Sequence, residues 1–125
     1  MTEENEVRRF GKSLRHASRG FKYVLSNERN FQIEIAISFV VLMMVWIFKV
    51  KNWEAIILIL IIMFVLIFEL INTVVERVVD ILKPRVHPYA KLVKDLMAAA
   101  VLISSIMAVV IGLIIFLPYV RNLID

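Results

Sequence analysis

Between Leu96 and Val120 the chain carries no charged side chain, and Ser104 and Ser105 are its small polar interruptions. A run of this length and character is long enough to cross the hydrocarbon core of a bilayer. There the backbone has no water to bond with, so it must satisfy its own N–H and C=O groups as a helix. Two further runs repeat the pattern. One covers Ile35 to Phe48 and extends back through Phe31; the other runs from Ala55 to Phe68 and continues past Glu69 and Asn72 as an amphipathic stretch to Leu82. The joins are marked by Lys49, Lys51 and Asn52, too few residues for anything but a tight reversal, and by Lys83-Pro84 ahead of His87-Pro88. With 61% hydrophobic residues and a mean hydropathy of +0.83, the chain is far more apolar than a water-soluble domain of 125 residues needs. The expectation is an all-α membrane protein: one domain, 1–125, with helices at 31–48, 55–82 and 90–120 containing three spans.

Residues 7–25 predict a different helix. Val7, Phe10, Leu14, Ala17, Phe21, Val24 and Leu25 share one arc of the helical wheel, and Arg8, Arg9, Lys12, Arg15, Arg19 and Lys22 fill the opposite one. Such a helix lies in the membrane interface, its apolar face among acyl chains and its basic face toward anionic headgroups. Adhesion alone explains the pattern, and so does adhesion combined with some of these cations facing a nucleotide triphosphate. The stretch from Met1 to Asn30 has no signal-peptide core or cleavage site, so insertion is expected to rest on the internal segments. Seven Lys and Arg lie in the N-terminal segment, two in the first loop, five around the second and one at the C-terminus. By the positive-inside rule the N-terminus and second loop are cytoplasmic, in a multi-pass protein of the cell membrane.

The second span carries the chemistry. Glu69, Asn72, Glu76 and Asp80 are spaced by three, four and four residues, which at about 100° per residue places them within roughly an 80° arc. A central acid in a bilayer helix costs about 2.5 to 3.5 kcal/mol on insertion scales. Something must offset that cost. The functional reading is a site for magnesium and phosphate at the membrane surface; the plainer one is that the acids bond a neighbouring helix. There is no cysteine, and His16 and His87 are too few and too separated for a zinc cluster, so any metal would be held by oxygen, which favours magnesium. Glu76 offers one carboxylate, and Glu28 a second if the start of the first span packs beside the second helix. Lys94 and Asp95 bring a cation and an anion to the start of the third span, either to meet phosphoryl oxygens or simply as a snorkelling lysine and a helix-terminal acid. Glu69, the deepest acid, could take the proton from a lipid hydroxyl, or could be a structural Glu bonded across helices. Asn72 could orient Glu69 or a substrate oxygen, or act as interhelical glue.

Neither a G-x-x-x-x-G-K-[ST] loop nor G-x-G-x-x-G occurs, and the three glycines, Gly11, Gly20 and Gly112, are scattered. Phosphate chemistry here would have to use side chains on membrane helices. The stretch Glu69-Leu70-Ile71-Asn72-Thr73-Val74-Val75-Glu76-Arg77-Val78-Val79-Asp80, with His87-Pro88-Tyr89-Ala90-Lys91 and then Lys94-Asp95 and Ala98-Ala99-Ala100-Val101-Leu102, resembles the small bacterial membrane diacylglycerol kinases. Asn27-Glu28-Arg29-Asn30-Phe31-Gln32, the His-Pro loop and the closing Ile111-Gly112-Leu113-Ile114-Ile115-Phe116-Leu117-Pro118 resemble the Gram-positive branch, whose members act mainly as undecaprenol kinases.

The resemblance implies a homotrimer of three-span chains with interfacial N-terminal helices and active sites shared between neighbours. It implies Glu69 as base, Glu28 and Glu76 as metal ligands, Arg9, Asn72, Asp80, Lys94 and Asp95 around ATP, and Glu34 toward the lipid; Lys12, on the basic face of the N-terminal helix, is expected among the nucleotide-facing cations on the helical pattern alone. Val74 and Met97 depart from it, standing where Ala and a small residue are usual. The leading expectation is an ATP- and magnesium-dependent kinase of undecaprenol, with diacylglycerol as a weaker substrate and no nucleic-acid partner. A proton- or cation-coupled transporter or channel subunit would also explain Glu34 and Glu69, but it accounts poorly for Arg77, Lys83 and Lys94. A structural scaffold is the third reading.

Overall fold

The computed structural model describes residues 2–82 and 87–125; the expected break at Lys83-Pro84 lies outside them. Four helices follow one another: α1 (Glu3–Asn27), α2 (Arg29–Phe48), α3 (Asn52–Leu82) and α4 (His87–Ile124). Of these, α2, α3 and α4 are long and apolar enough to cross a membrane. Each helix starts or ends a few residues beyond the range read from apolar periodicity, because polar residues build the terminal turns. Glu3, Glu4 and Glu6 occupy the first turn of α1, where acids complement the helix dipole. Pro88 sits in the first turn of α4, where the missing N–H costs no helical bond. At the far end α4 runs through Pro118 to Ile124.

The α2–α3 reversal is tight, as Lys49, Lys51 and Asn52 imply. Lys49 takes up the left-handed conformation (φ 53°, ψ 50°) that glycine usually supplies, and Val50 N–H reaches the Val45 carbonyl at 3.3 Å, closing α2 in the manner of a Schellman turn. The α1–α2 corner is shorter still. Glu28, extended at φ −108° and ψ 109°, is the only residue between the two helices. Phe31, 1% exposed, anchors this corner by meeting the Phe21 ring edge-on at 5.5 Å, and Gln32 Nε2 donates to the Leu25 carbonyl at 2.8 Å.

Packing is thin for a chain so apolar. The main contacts are α3 with α4, then α2 with α3, and the core of Leu58, Ile115 and Phe116 lies toward the Lys49–Asn52 end. Most large apolar side chains on α2, α3 and α4 point outward. Exposed apolar surface on this scale is what a lipid environment or partner chains would cover. On α1, Val7, Phe10, Leu14 and Phe21 are exposed, while Val24 is buried.

One polar contact ties the bundle together near the α2–α3 turn. The buried Glu54 accepts a short hydrogen bond from the Tyr119 hydroxyl and another from Lys51 N–H at 3.2 Å. The Lys51 N–H also reaches Tyr119 Oη at 3.3 Å, so the start of α3 and the end of α4 share one small network. Tyr119→Phe should therefore lower unfolding stability in detergent by about 0.5 to 1.5 kcal/mol, the net worth of one hydrogen bond, because Lys51 N–H still donates to Glu54. An unchanged unfolding midpoint would show that this contact contributes no stability.

Candidate active site

Beyond Phe68, α3 changes character from apolar on every face to two-sided, and helical register brings Glu69, Asn72 and Glu76 onto the side that meets α2 and α4. These three, with Glu34 and Asn30 from α2 and Ala98 and Ser105 from α4, line a cavity of about 390 Å³. Small residues on α4 leave the room. Glu69 is 5% exposed, while Glu34, Asn72 and Glu76 are half-buried. Asn72 Nδ2 lies 3.4 Å from Glu76 Oε1, one turn along the helix. The carboxyl groups of Glu34, Glu76 and Glu28 all lie within electrostatic reach of Glu69. A pocket lined by several carboxylates repels anions and attracts a cation.

The remaining expected site residues do not line this cavity. Lys94 Nζ of α4 pairs with Asp80 Oδ1 at 2.7 Å, one turn of α3 beyond Glu76. Glu28 is held by Arg77, whose Nη2 donates to Glu28 Oε1 at 2.5 Å. Asp95 lies exposed next to Lys94, and Arg9 and Lys12 lie on the exposed surface of α1, outside the cavity lining. Sequence reasoning missed Ser105 and Ala98 as cavity walls and Arg77 as the partner of Glu28. Small residues in an apolar span were the available sign of the first two; the third, pairing positions 49 residues apart, left no local sign.

The donor set fits a hard divalent cation that brings its own ligands. Every polar group in the lining is an oxygen or amide donor, and among the described residues no three acids or histidines converge tightly enough to cage an ion alone. Magnesium is usually held this way, by one or two carboxylates together with substrate phosphates and water.

The profile of the family described as prokaryotic diacylglycerol kinase matches residues 15–116. The chain belongs to this family. It is 40% identical over 114 residues to the undecaprenol kinase of Bacillus subtilis, covering 91% of this chain and 93% of that protein. It is also 34% identical over 112 residues to the diacylglycerol kinase of a Synechocystis strain, covering 89% of this chain and 64% of that one. Membership makes the chain a multi-pass membrane lipid kinase and sets aside the transporter and scaffold readings.

Because Ala98 walls the cavity without a chemical group of its own, Ala98→Leu tests the space rather than the acids. Lipid phosphorylation should fall about 100-fold or more, as misplacement of reacting groups by about 1 Å can do, with thermal stability close to that of the parent. Full activity in this variant would show that the cavity is not where the reaction occurs.

Proposed function

We propose that this protein is an ATP- and magnesium-dependent undecaprenol kinase, with diacylglycerol as a secondary substrate, working as a homotrimer in the cell membrane with its N-terminus in the cytoplasm. The observation that carries the reading is the cavity of Glu34, Glu69, Asn72 and Glu76, with the Lys94–Asp80 pair beyond one end and an apolar groove leading from the other. Glu69 is the base. It accepts the proton of the lipid alcohol, and the alcohol oxygen then bonds to the γ-phosphorus as the bond from that phosphorus to the β–γ bridging oxygen breaks and ADP leaves. Asn72 orients Glu69 and the incoming oxygen, while Lys94, with Asp80 and Asp95 around it, meets the triphosphate from the cytoplasm. Arg9 and Lys12 add positive charge from the interfacial helix α1. Glu76 and Glu28 hold magnesium, which when bound neutralises charge on the phosphate oxygens. Most of the rate then comes from positioning and charge stabilisation, as is usual for phosphoryl transfer.

The groove supports a lipid acceptor. It occupies about 400 Å³ between α2, α3 and α4, shares Glu34 and Ser105 with the catalytic cavity, and continues past Gly112 to Val120. From Ser105 to Val120 a helix rises about 22 Å. A single hydrocarbon tail lying there would place its hydroxyl beside Glu34 and Glu69, having entered sideways from the bilayer. The higher identity and fuller coverage of the undecaprenol kinase relative support a polyprenol as the preferred tail.

Trimer formation is supported by the other side of α3. Leu60, Phe64, Ile67, Ile71, Val74, Val78 and Ile81 are all exposed, at alternating spacings of four and three residues, roughly opposite the acids. This face of α3 is open to a neighbouring chain, which is what the proposed trimer requires. Val74 belongs to this exposed stripe and lines a pocket with α1, so its bulk points away from the cavity between α2, α3 and α4.

Labelled ATP and magnesium should label undecaprenol in mixed micelles more efficiently than diacylglycerol. Glu69→Gln should lower kcat by about 10² to 10⁴-fold, the usual worth of a general base, with little change in KM for ATP. Normal turnover by that variant would overturn the assignment. A Cβ at Gly112 would meet no atom within 4 Å, so the side chain of Gly112→Leu starts in open groove space and takes up room the tail would need. It should raise KM for undecaprenol several-fold while KM for ATP stays constant; an unchanged lipid KM would move the tail elsewhere.

A further inference from the structure

Glu28 differs from the other acids of the site in where it is carried. A helical side chain has its direction set by register, but Glu28 stands alone between α1 and α2 with an extended backbone. Its direction has to be set from outside. The group that reaches it is the Arg77 guanidinium on α3: Nη2 donates to Glu28 Oε1 at 2.5 Å, and Nε donates to Tyr23 Oη at 3.2 Å. The guanidinium carbon lies 6.0 Å from the Tyr23 ring centroid, within cation–π range. One planar fork thus joins α3, the last turns of α1 and the residue between α1 and α2. The geometry uses what arginine has and lysine lacks, which is two N–H directions fixed relative to one another.

Arg77 also directly follows Glu76. Adjacent helical residues leave the axis about 100° apart, and here Glu76 lines the catalytic cavity while Arg77 turns to the α1–α2 corner. The two residues therefore link cavity and corner through a single rigid stretch of α3.

We propose that Arg77 is a positioning residue that grips Glu28 by Oε1, braces the corner through Tyr23, and leaves Glu28 Oε2 presented to the divalent cation shared with Glu76. This inference rests on the reading of Glu28 as a metal ligand. A hydrogen-bond partner behind a ligating carboxylate typically matters about 10- to 100-fold in metal affinity or activity.

The test reads metal binding and corner mobility directly, in purified full-length protein in micelles with a non-hydrolysable ATP analogue. Mn²⁺ binding is followed by the loss of the free-ion paramagnetic resonance signal, and hydrogen exchange is followed at the amides of residues 24–32. Arg77→Gln should weaken Mn²⁺ binding about tenfold and speed exchange at the corner, and Arg77→Lys should recover only part of either. Tyr23→Phe, which removes one hydroxyl, should shift both in the same direction by less, and it carries the test if Arg77→Gln does not fold. Parental Mn²⁺ binding by Arg77→Gln, beside weakened binding by Glu28→Gln, overturns the role of Arg77 alone. Parental binding by both variants overturns the metal assignment of Glu28 and the role of Arg77 with it.

Discussion

Hydrocarbon offers a peptide group no hydrogen-bond partner, and the rest of this structure depends on that constraint. It makes α3 a continuous helix of 31 residues, and a continuous helix leaves each side chain a fixed angle around a common axis. Glu69, Asn72 and Glu76 then converge without any loop to hold them. The exposed stripe from Leu60 to Ile81 follows from the same register on the far side. Soluble phosphate sites often cradle their ligand with glycine-rich backbone at the start of a helix. Here the backbone N–H groups are already used within the helices, so recognition has to fall to side chains.

Side chains in such a place must be held by one another. The acids are not equivalent in this respect: on α3, Asp80 is paired with Lys94 and Glu76 lies near the amide of its own helical neighbour Asn72, while Glu28, between α1 and α2, is paired with Arg77. Glu69 sits deepest, 5% exposed, among carboxyl groups, and among the described residues no cation lines its cavity. Charge is therefore graded along the helix. Paired groups lie toward the Leu82 end, where on the proposed reading a polyanion would exchange partners with them, and Glu69, the proposed base, lies farther inside, where an alcohol anchored by its tail would arrive.

How far the sequence revealed this follows from the range of each interaction. The spans, the tight turn at Lys49–Asn52 and the co-facial acids were legible because they rest on composition and helical period, which act over a few residues. Resemblance alone put Glu34 toward the lipid; its place in one cavity with Glu69 and Glu76 was not legible, because it depends on how α2 packs on α3. Contacts that join distant positions were not legible: Arg77 with Glu28 across 49 residues, Arg77 with Tyr23 across 54, and Tyr119 with Glu54 across 65. Each depends on how whole helices pack, and apolar periodicity is uninformative about packing when every face of a span is apolar. The ends of the helices were displaced for a related reason. Polar first-turn residues such as Glu3 and Asn52 belong to the helix but interrupt the pattern used to find it.

The thin packing of the chain bears on how a small protein can host chemistry in a bilayer. Burial on each span is slight, so α2, α3 and α4 cannot owe their arrangement to a dense core of the kind a soluble domain builds. The polar contacts occur at the two ends instead: Glu54, Tyr119 and Lys51 near the α2–α3 turn, and Arg77, Glu28, Tyr23, Asp80 and Lys94 toward the other. Between these fastenings lies the apolar groove that runs from Glu34 and Ser105 to Val120. A bundle fastened at its ends, with an open groove between its helices, can admit a hydrocarbon tail without breaking those fastenings. A groove already open along the spans and a lipid substrate are thus mutually consistent features of the same fold.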